Sequence, residues 1–379
     1  MTKIILATRN WSSWPDFAGA TWVPLQYLLG FEKLGVDVYW VDYLDAVDPY
    51  KHPHSLDYLI DRFDSTANKF SFLDRYCIIY AEDERYFGLS QEKLARVAKK
   101  TDLLLSISGT GLPKESPLLE ISRRAYVDVD PGFTQIWAQQ VEMGLEQYNF
   151  FFTVGQNIGR TEFTIPTKNI EWKPIFPPVF LDAWPVHIDE KSQRFSTIAD
   201  WWGNQWARYD GVLYGSKREE FLRFIRVPKE ANQEIEVALF FEQDSYKQLD
   251  ELRENNWKIL NPILHAGDPF SYREFIQYSR AEFSTAKNGY VRSNSGWVSD
   301  RTACYLASGK PAVIQSTGFE WRLPTGEGLL TYHTVEEAVA GIEAINQDYG
   351  RHCHAARQLA EKYFNSDFVL RDLLEQTGI

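Results

Sequence analysis

The chain has 379 residues, an apolar share of 44% and a net charge of -12, which together favour a globular protein of two domains and argue against a broad, positively charged nucleic-acid surface. No charged-plus-apolar leader and no apolar run near the roughly 18 residues of a membrane-spanning helix is apparent. Its three scattered cysteines fit neither a disulfide framework nor a CxxC metal site, so we expect a reduced, cytoplasmic protein without a membrane span.

The N-terminal part of the chain predicts alternating strands and helices. A strand at 3–8, a loop at 9–21, a helix at 22–34 and a strand at 36–41 form a βαβ unit, whose sheet should be parallel. Three further buried strands are predicted at 103–107, 125–129 and 150–154, each followed by a polar or glycine-bearing loop. This half is therefore predicted to be α/β.

A proline-rich segment at 164–184 lacks helical periodicity and is typical of a stiff linker. A second α/β series follows it. Its predicted strands are 194–199, 236–240, 257–260, 281–284, 311–315 and 328–331, and its predicted helices are 217–224, 245–255, 269–279, 300–307, 335–348 and 355–364. The sequence thus predicts an α/β protein with two doubly wound, Rossmann-like domains facing each other across a cleft, where such sheets bind ligands.

Tryptophan is unusually frequent, with 13 residues in a chain that is 15% aromatic. Two clusters stand out, Trp11 with Trp14, and Trp201 with Trp202 and Trp206. Rings along a cleft would suit sugars or other planar ligands. Packing in the core is the more general role of large rings and stays the alternative.

One stretch of the second half combines a glycine turn, a capped helix, a Gly-Lys-Pro break, a strand and a second glycine turn. It is preceded by "EFS" at 282–284 and "KNGY" at 287–290, and it contains "SGWVSDR" at 295–301 and "YLASGKP" at 305–311. This order resembles the donor-binding region of nucleotide-sugar-dependent glycosyltransferases with the GT-B fold. The resemblance extends in coarse order to "TWVPLQYLLGFEKLGVDVYWVD" and "LPTGEGLLTYHTVEEAVAGIEAI", and so to nearly the whole chain.

The resemblance implies the GT-B fold and the transfer of a sugar from a nucleoside-diphosphate sugar to a hydroxyl or amine of a small-molecule or glycan acceptor. The nucleotide sugar would be a co-substrate, and no tightly bound cofactor is implied. The implied domains are an N-terminal acceptor-side domain at 1–175, a linker at 176–193, a donor-binding domain at 194–355, and a C-terminal helix at 356–379 that packs back towards the N-terminal domain.

Two departures from the family pattern leave the stereochemical course open. Cys304 stands where retaining members often carry a glutamate before the Gly-Lys-Pro break, and Gly296-Trp297 lacks the histidine of the common inverting motif. Two other functions also stay open, a nucleotide-sugar epimerase on the same fold and a non-catalytic nucleotide- or sugar-binding protein. An epimerase needs no acceptor pocket. The aromatic N-terminal loops favour a separate acceptor, and so favour the transferase.

The candidate diphosphate site is the start of the helix near Asp300. Ser299 is a natural N-cap, and the first-turn N–H groups and the helix dipole would favour a phosphate beside Gly296. Arg301 or Lys287 would add countercharge. The alternative is an ordinary capped helix with surface charges.

The remaining candidates for donor binding lie at the ends of neighbouring strands. Thr317 and Gly318 form a short polar loop that could bond sugar hydroxyls, or a plain polar turn. Glu282 could hold a pair of ribose or sugar hydroxyls, or be a solvated carboxylate. The resemblance adds His265, in a loop predicted before a helix, as a residue near the nucleotide.

Sugar transfer to a hydroxyl benefits from a base that accepts the proton of the attacking group. Asp16 is the only carboxylate in the loop at 10–19 and is the first candidate, with Asp128 and Asp130 behind it. Each of these carboxylates has a structural role as its alternative.

Several other chemistries are weakened by missing motifs. No GxxxxGK[ST] loop, no GxGxxG after the first strand and no GxSxG elbow occurs, which weakens the kinase, dehydrogenase and hydrolase hypotheses. His352 and His354 flank Cys353, but adjacent helical residues fan out around the axis and cannot converge on one metal. The donor half has no DxD-like pair, so we predict no metal site and a metal-independent reaction.

Overall fold

The structure, a computed structural model, describes residues 1–47, 53–201, 206–241 and 246–379. Trp202 and the predicted helix start at 245 lie outside the described residues. The chain forms two compact units, the first made of Met1–Val129, Val141–Phe152 and Ser366–Ile379 and the second of Asp130–Gln140 and Thr153–Asn365. The domain boundaries implied by the sequence stay a prediction.

The first unit is built on one mostly parallel sheet. Its strands are β1 (Lys3–Arg9), β2 (Asp37–Leu44), β3 (Tyr76–Tyr80), β4 (Arg85–Gly88), β5 (Leu103–Ile107), β6 (Arg124–Asp128) and β7 (Phe150–Thr153), and its α-helices are α1 (Ala18–Lys33), α2 (Leu56–Lys69) and α3 (Gln91–Ala98). The strand order is β4-β3-β2-β1-β5-β6-β7, with β4 antiparallel to β3. Short 3₁₀ helices lie at Pro117–Glu120 and Leu145–Gln147.

Continuous apolar runs explain this sheet. The side chains of 4–7 in β1 are fully buried, as expected for a central parallel strand that is covered on both faces. Helix α1 begins at Ala18, four positions before the predicted start at 22. Ala18 and Trp22 are both buried, and this packing overrides the low helix propensity of the intervening Gly19.

The second unit contains a parallel sheet of six strands. The strands of this sheet are β9 (Phe195–Asp200), β12 (Ile235–Phe240), β13 (Trp257–Leu260), β14 (Ala281–Ser284), β15 (Ala312–Gln315) and β16 (Leu329–Tyr332). The unit also contains β8 (Lys173–Pro174) and the hairpin of β10 (Ala207–Tyr209) and β11 (Val212–Tyr214), which lie outside this sheet. The sheet order is β13-β12-β9-β14-β15-β16. This is the doubly wound order, whose topological switch point lies between β9 and β14.

Helices alternate with these strands. They are α4 (Phe133–Gln140), α5 (Lys217–Arg223), α6 (Val227–Glu230), α7 (Tyr246–Glu254), α8 (Pro262–Ala266), α9 (Pro269–Gln277), α10 (Asn288–Arg292), α11 (Asp300–Ala307), α12 (Val335–Gln347) and α13 (Tyr349–Leu359), with a 3₁₀ turn at Leu181–Ala183. The apolar core contains Phe195, Val237 and Phe283 on three neighbouring strands.

The predicted strands at 257–260 and 281–284 and the predicted helix at 300–307 are confirmed residue for residue. The hairpin β10–β11 and the short helices α8 and α10 were not predicted, because elements of three to five residues are too short to show a periodicity. The prediction that His265 lies in a loop is wrong, since His265 lies on α8, a helix that is capped by Asn261.

Towards its end the chain runs from α13 through a π-helical turn at Ala360–Phe364 into α14 (Ser366–Gln376). Helix α14 belongs to the first unit and packs on α1, where a Cβ at Gly30 would lie 2.6 Å from Leu370 Cδ1. Gly30 therefore permits the close approach of the two helices. No helix among the described residues is long and apolar enough to cross a membrane.

Candidate functional site

A buried ion pair lies at the switch point of the second sheet. Arg301 Nε donates to Glu282 Oε1 at 2.8 Å, and the other guanidinium nitrogens donate to the Ile198 carbonyl at 2.7 Å and to Ser284 Oγ at 2.5 Å. Glu282 is fully buried, so its interpretation as a solvated carboxylate is wrong. Arg301 is thus held by three internal acceptors, the Ile198 carbonyl on β9 and the side chains of Glu282 and Ser284 on β14.

Lys217 is the candidate that the sequence analysis missed. It is the first residue of α5, after the N-cap Ser216, and it is buried. Its Nζ has no hydrogen-bond partner among the described residues. Burial, and then the positive charge of Arg301, holds the pKa of Lys217 well below its usual range, while Glu282 and Asp300 oppose this shift. A buried amino group with no hydrogen-bond partner is the feature of this edge that is most suited to an anion, since an anion would stabilise its ammonium form.

The start of α11 has the predicted cap, since Ser299 Oγ accepts from the Arg301 N–H at 3.2 Å. Asp300 is partly buried, and burial raises the pKa of its carboxyl group. Gly296 has a φ of 70°, and a Cβ there would lie 2.9 Å from the Asn157 backbone nitrogen. The glycine thus admits the neighbouring loop that contains Gln156 and Asn157, a close approach that the sequence analysis assigned to a ligand.

The Thr317–Gly318 turn is hydrogen-bonded to the turn that contains Gly296 and Trp297. Thr317 Oγ1 donates to the Trp297 carbonyl at 2.6 Å, and the Gly296 N–H donates to the Thr317 carbonyl at 2.8 Å. Gly318 has a φ of 91°, and a Cβ there would lie 2.0 Å from Asn294 Oδ1. The two glycine turns that the sequence singled out therefore lie side by side.

Lys287 and Asp130, which the sequence analysis gave to different roles, lie together in the second unit. Lys287 Nζ is 3.0 Å from Asp130 Oδ1, to which the Tyr290 hydroxyl also donates at 2.5 Å. The Tyr290 ring lies 4.4 Å from that of Trp297. Asp128, by contrast, is a fully buried residue at the end of β6 in the first unit.

The strand that leads to His265 is not next to the switch point. It is exposed on α8, which follows β13, and β12 and β9 lie between β13 and β14 in the sheet. The residues that converge at the switch point are therefore Lys217, Glu282 and the start of α11.

In the first unit, Asp16 is paired with two side chains of the region around α2. His54 Nε2 lies 2.9 Å from Asp16 Oδ2, and an Arg62 nitrogen lies 3.8 Å from Asp16 Oδ1. The side chain of His54 is 25% exposed and that of Asp16 is 13% exposed, so the imidazole is the more accessible group. The sequence analysis did not name His54, which is 38 positions away along the chain.

A buried carboxylate fixes the loop that leads to Asp16. Asp42, on β2, accepts from Thr8 Oγ1 at 2.6 Å, from the Ser12 N–H at 2.8 Å and from Ser12 Oγ at 2.6 Å. Burial raises the pKa of Asp42, and the bonds from Ser12 and Thr8 oppose this shift. A pocket beside the loop is lined by Trp11, Trp40 and Arg62 among others.

Solved structures show how these elements relate to known proteins. An alpha-glucosyltransferase in complex with UDP and a 13-mer DNA matches with a TM-score of 0.66 at 12% identity, over 100% of both chains. HepE of Anabaena, in complex with UDP and glucose, matches with a TM-score of 0.59 at 12% identity, also over 100% of both chains. The chain has the GT-B fold.

The GT-B likeness extends to a glycosyltransferase of Rickettsia africae, with a TM-score of 0.54 at 10% identity over 99% of this chain and 97% of that one. No protein-family model and no curated protein sequence matches the chain. The GT-B fold predicted from the donor-region motifs is thereby confirmed, while the roles of the individual residues stay predictions.

Proposed function

We propose that this protein is a glycosyltransferase that moves a sugar from a nucleoside-diphosphate sugar to an acceptor hydroxyl or amine. The observation that carries this proposal is the buried amino group of Lys217, which has no hydrogen-bond partner among the described residues and interacts electrostatically with Arg301, Glu282 and Asp300 at the switch point of the second sheet. An unpaired buried cation is destabilising unless an anion joins it. The diphosphate of the donor supplies that anion.

The start of α11 is the second part of the diphosphate site. Its first-turn N–H groups and the positive end of its dipole favour an anion near Ser299 and Gly296. Arg301 is held by three internal acceptors, one of which is the carboxylate of Glu282. Lys217 is therefore the better candidate than Arg301 for direct contact with phosphate.

The donor nucleotide is proposed to be UDP-linked, since two of the structures named above, the alpha-glucosyltransferase and HepE, contain UDP. Thr317, Gly318 and Glu282 remain candidates for the sugar end of the donor, and His265 for the nucleoside end. The donor-binding domain would span 194–355 and the acceptor-side domain 1–175.

On the acceptor side, we propose that Asp16 and His54 act as one unit. A carboxylate has only lone pairs to offer, so the imidazole nitrogen that faces it, Nε2, carries the hydrogen. The lone pair of the imidazole is then on Nδ1, which is the basic nitrogen. His54 would accept the acceptor proton while Asp16 orients the ring and stabilises the imidazolium that forms.

The reaction is proposed to be cytoplasmic and independent of divalent metal. The three cysteines are free and buried, which suits a reducing compartment. The acceptor is proposed to be a small molecule or glycan, and the net charge of -12 supports an acceptor other than nucleic acid. A gel-shift experiment with a short DNA duplex tests this last point, because several of the similar alpha-glucosyltransferase structures contain DNA.

A thermal-shift screen with UDP, GDP, ADP and their glucose conjugates tests the donor proposal, because a ligand of the native state raises the melting temperature with concentration. We expect a uridine compound to give the largest increase. When candidate acceptors are screened with that donor, we expect the protein to release the nucleotide in the presence of the true acceptor. A melting temperature unmoved by all of these compounds would contradict the proposal. Conversion of the donor to an isomer without an acceptor would instead identify an epimerase.

A further inference from the structure

A buried carboxylate joins three segments at the proposed donor site. Glu220, on α5, has a side chain that is 4% exposed. Its Oε1 accepts from Asn288 Nδ2 at 2.7 Å, and its Oε2 accepts from Gln315 Nε2 at 2.6 Å. Glu220 thus connects α5 to the start of α10 and to the carboxyl end of β15.

Arg223, on the same helix, also lies 3.5 Å from Glu220 Oε2. The other two partners, Gln315 and Asn288, are themselves bonded to the backbone. Gln315 Oε1 accepts from the Ala286 N–H at 3.1 Å, while Asn288 Oδ1 accepts from the Gly215 N–H at 3.2 Å and the Asn288 N–H donates to the Ser216 carbonyl at 2.9 Å. These bonds hold the residues directly before Lys217 and on both sides of Lys287. Glu220 therefore helps to fix the backbone next to both lysines of the site, Lys217 and Lys287.

We propose that Glu220 is a positioning residue that fixes Lys217 and Lys287 for the diphosphate, an inference that rests on the proposed function. Both of its oxygens are engaged inside the protein, so Glu220 acts through the lysines and does not touch the ligand. Lys217 lies three positions earlier on α5, and residues three apart lie on one face of a helix. A shift of this helix would therefore move the Lys217 ammonium group directly.

Glu220→Gln tests this role with a small change of shape. Asn288 and Gln315 are amide N–H donors, so the new NH₂ group must face one of them without an acceptor, and one of these two links breaks. The substitution also removes the counterion of Arg223, whose side chain is 55% exposed. We expect the Kd for UDP, measured by calorimetry, to rise about tenfold, the magnitude of one lost hydrogen bond to a charged group. The Kd for uridine, which has no phosphate, should stay unchanged.

Two further variants separate positioning from general damage. Glu230→Gln changes an exposed glutamate of the neighbouring helix α6 and should leave both affinities unchanged. Gln315→Met breaks the same link from β15 with little change of volume and should weaken UDP in the same way as Glu220→Gln. Circular dichroism at the assay temperature establishes that each variant is folded before its affinity is compared.

A mutant cycle with Lys217→Met and Lys287→Met combined gives the decisive result. If Glu220 acts through the two lysines, Glu220→Gln should weaken UDP much less in a background with Lys217→Met and Lys287→Met than in the wild type. Equal losses in both backgrounds, or an unchanged UDP affinity of folded Glu220→Gln, would overturn the inference and leave the proposed function intact. Failure of the wild type to bind UDP would overturn the proposed function, and the inference with it.

Discussion

His54 Nε2 and Asp16 Oδ2 lie 2.9 Å apart, and Arg62 approaches the other oxygen of the same carboxylate at 3.8 Å. With both oxygens facing hydrogen-bond donors, Asp16 is poorly placed to take up a proton itself. The sequence analysis chose Asp16 because it is the only carboxylate of its loop. The structure places His54 against that carboxylate.

The first prediction concerns this pair. His54→Gln and Asp16→Asn should each lower kcat by about 10²–10⁴-fold, the usual contribution of a general base, with little change in nucleotide affinity. Because the two residues act as one unit, the double variant should be no slower than His54→Gln alone. Asp57→Asn, at an exposed position of α2, is the control. Near-wild-type turnover of both single variants would assign the pair a structural role and return the search to Asp128, Asp130 or the donor phosphate.

The second prediction is that Lys217→Met separates stability from binding. The apolar side chain removes the cost of burying an amino group without a partner, so the free energy of unfolding should increase by about 1–3 kcal/mol. UDP should bind at least tenfold more weakly, since the anion loses its countercharge. Urea denaturation and calorimetry measure the two effects, and Lys229→Met, at an exposed position of α6, should show neither. A destabilised variant with unchanged UDP affinity would mean that Lys217 has only a structural role.

Much of the fold could be predicted because buried parallel strands appear as apolar runs. Strands β13 and β14 have the predicted bounds, and the helix start at Ser299 and Asp300 follows from local capping chemistry alone. Such features depend on a few neighbouring residues. They are therefore present in the sequence itself.

The site could be predicted only in outline, because its chemistry depends on contacts between distant segments. Lys217 looks like any lysine at the start of a helix, and only the fold buries it without a partner. The contact of Lys287 with Asp130 joins residues 157 positions apart. No local pattern contains this information.

The third prediction concerns Gly318, in the turn that follows β15. Gly318→Ala places a Cβ at a φ of 91° and 2.0 Å from Asn294 Oδ1, so it should lower the free energy of unfolding by about 2 kcal/mol or more. Gly350→Ala, on helix α13 where a Cβ meets nothing within 4 Å, should instead be neutral or stabilising by up to about 1 kcal/mol. Urea denaturation of both variants makes the comparison. Equal stabilities would show that the turn relaxes freely.

The fourth prediction concerns metal. If the N–H groups of α11 and the ammonium group of Lys217 stabilise the departing diphosphate, turnover should survive EDTA within about twofold. Lys217→Met should lose activity in the same buffer, whether or not magnesium is added. Loss of wild-type turnover with EDTA, restored by magnesium or manganese, would refute a metal-independent reaction.

The last prediction concerns Lys310, on the turn between α11 and β15, away from the switch point. It is fully buried, its Nζ has no hydrogen-bond partner among the described residues, and burial lowers its pKa from 10.5 to about 8. Between these two values the unfolded chain binds the proton that the folded chain has lost, so stability should rise with pH across this window.

The shift corresponds to a destabilisation on the order of 3 kcal/mol below pH 8 that fades towards pH 10.5. Lys310→Met removes it, so the variant should be more stable than the wild type at pH 7, and this difference should shrink as the pH rises from 8 to 10. Urea denaturation at several pH values measures the difference, and the exposed Lys229→Met variant should show none that varies with pH. A constant difference between Lys310→Met and the wild type would mean that Lys310 keeps an ordinary pKa in the folded protein.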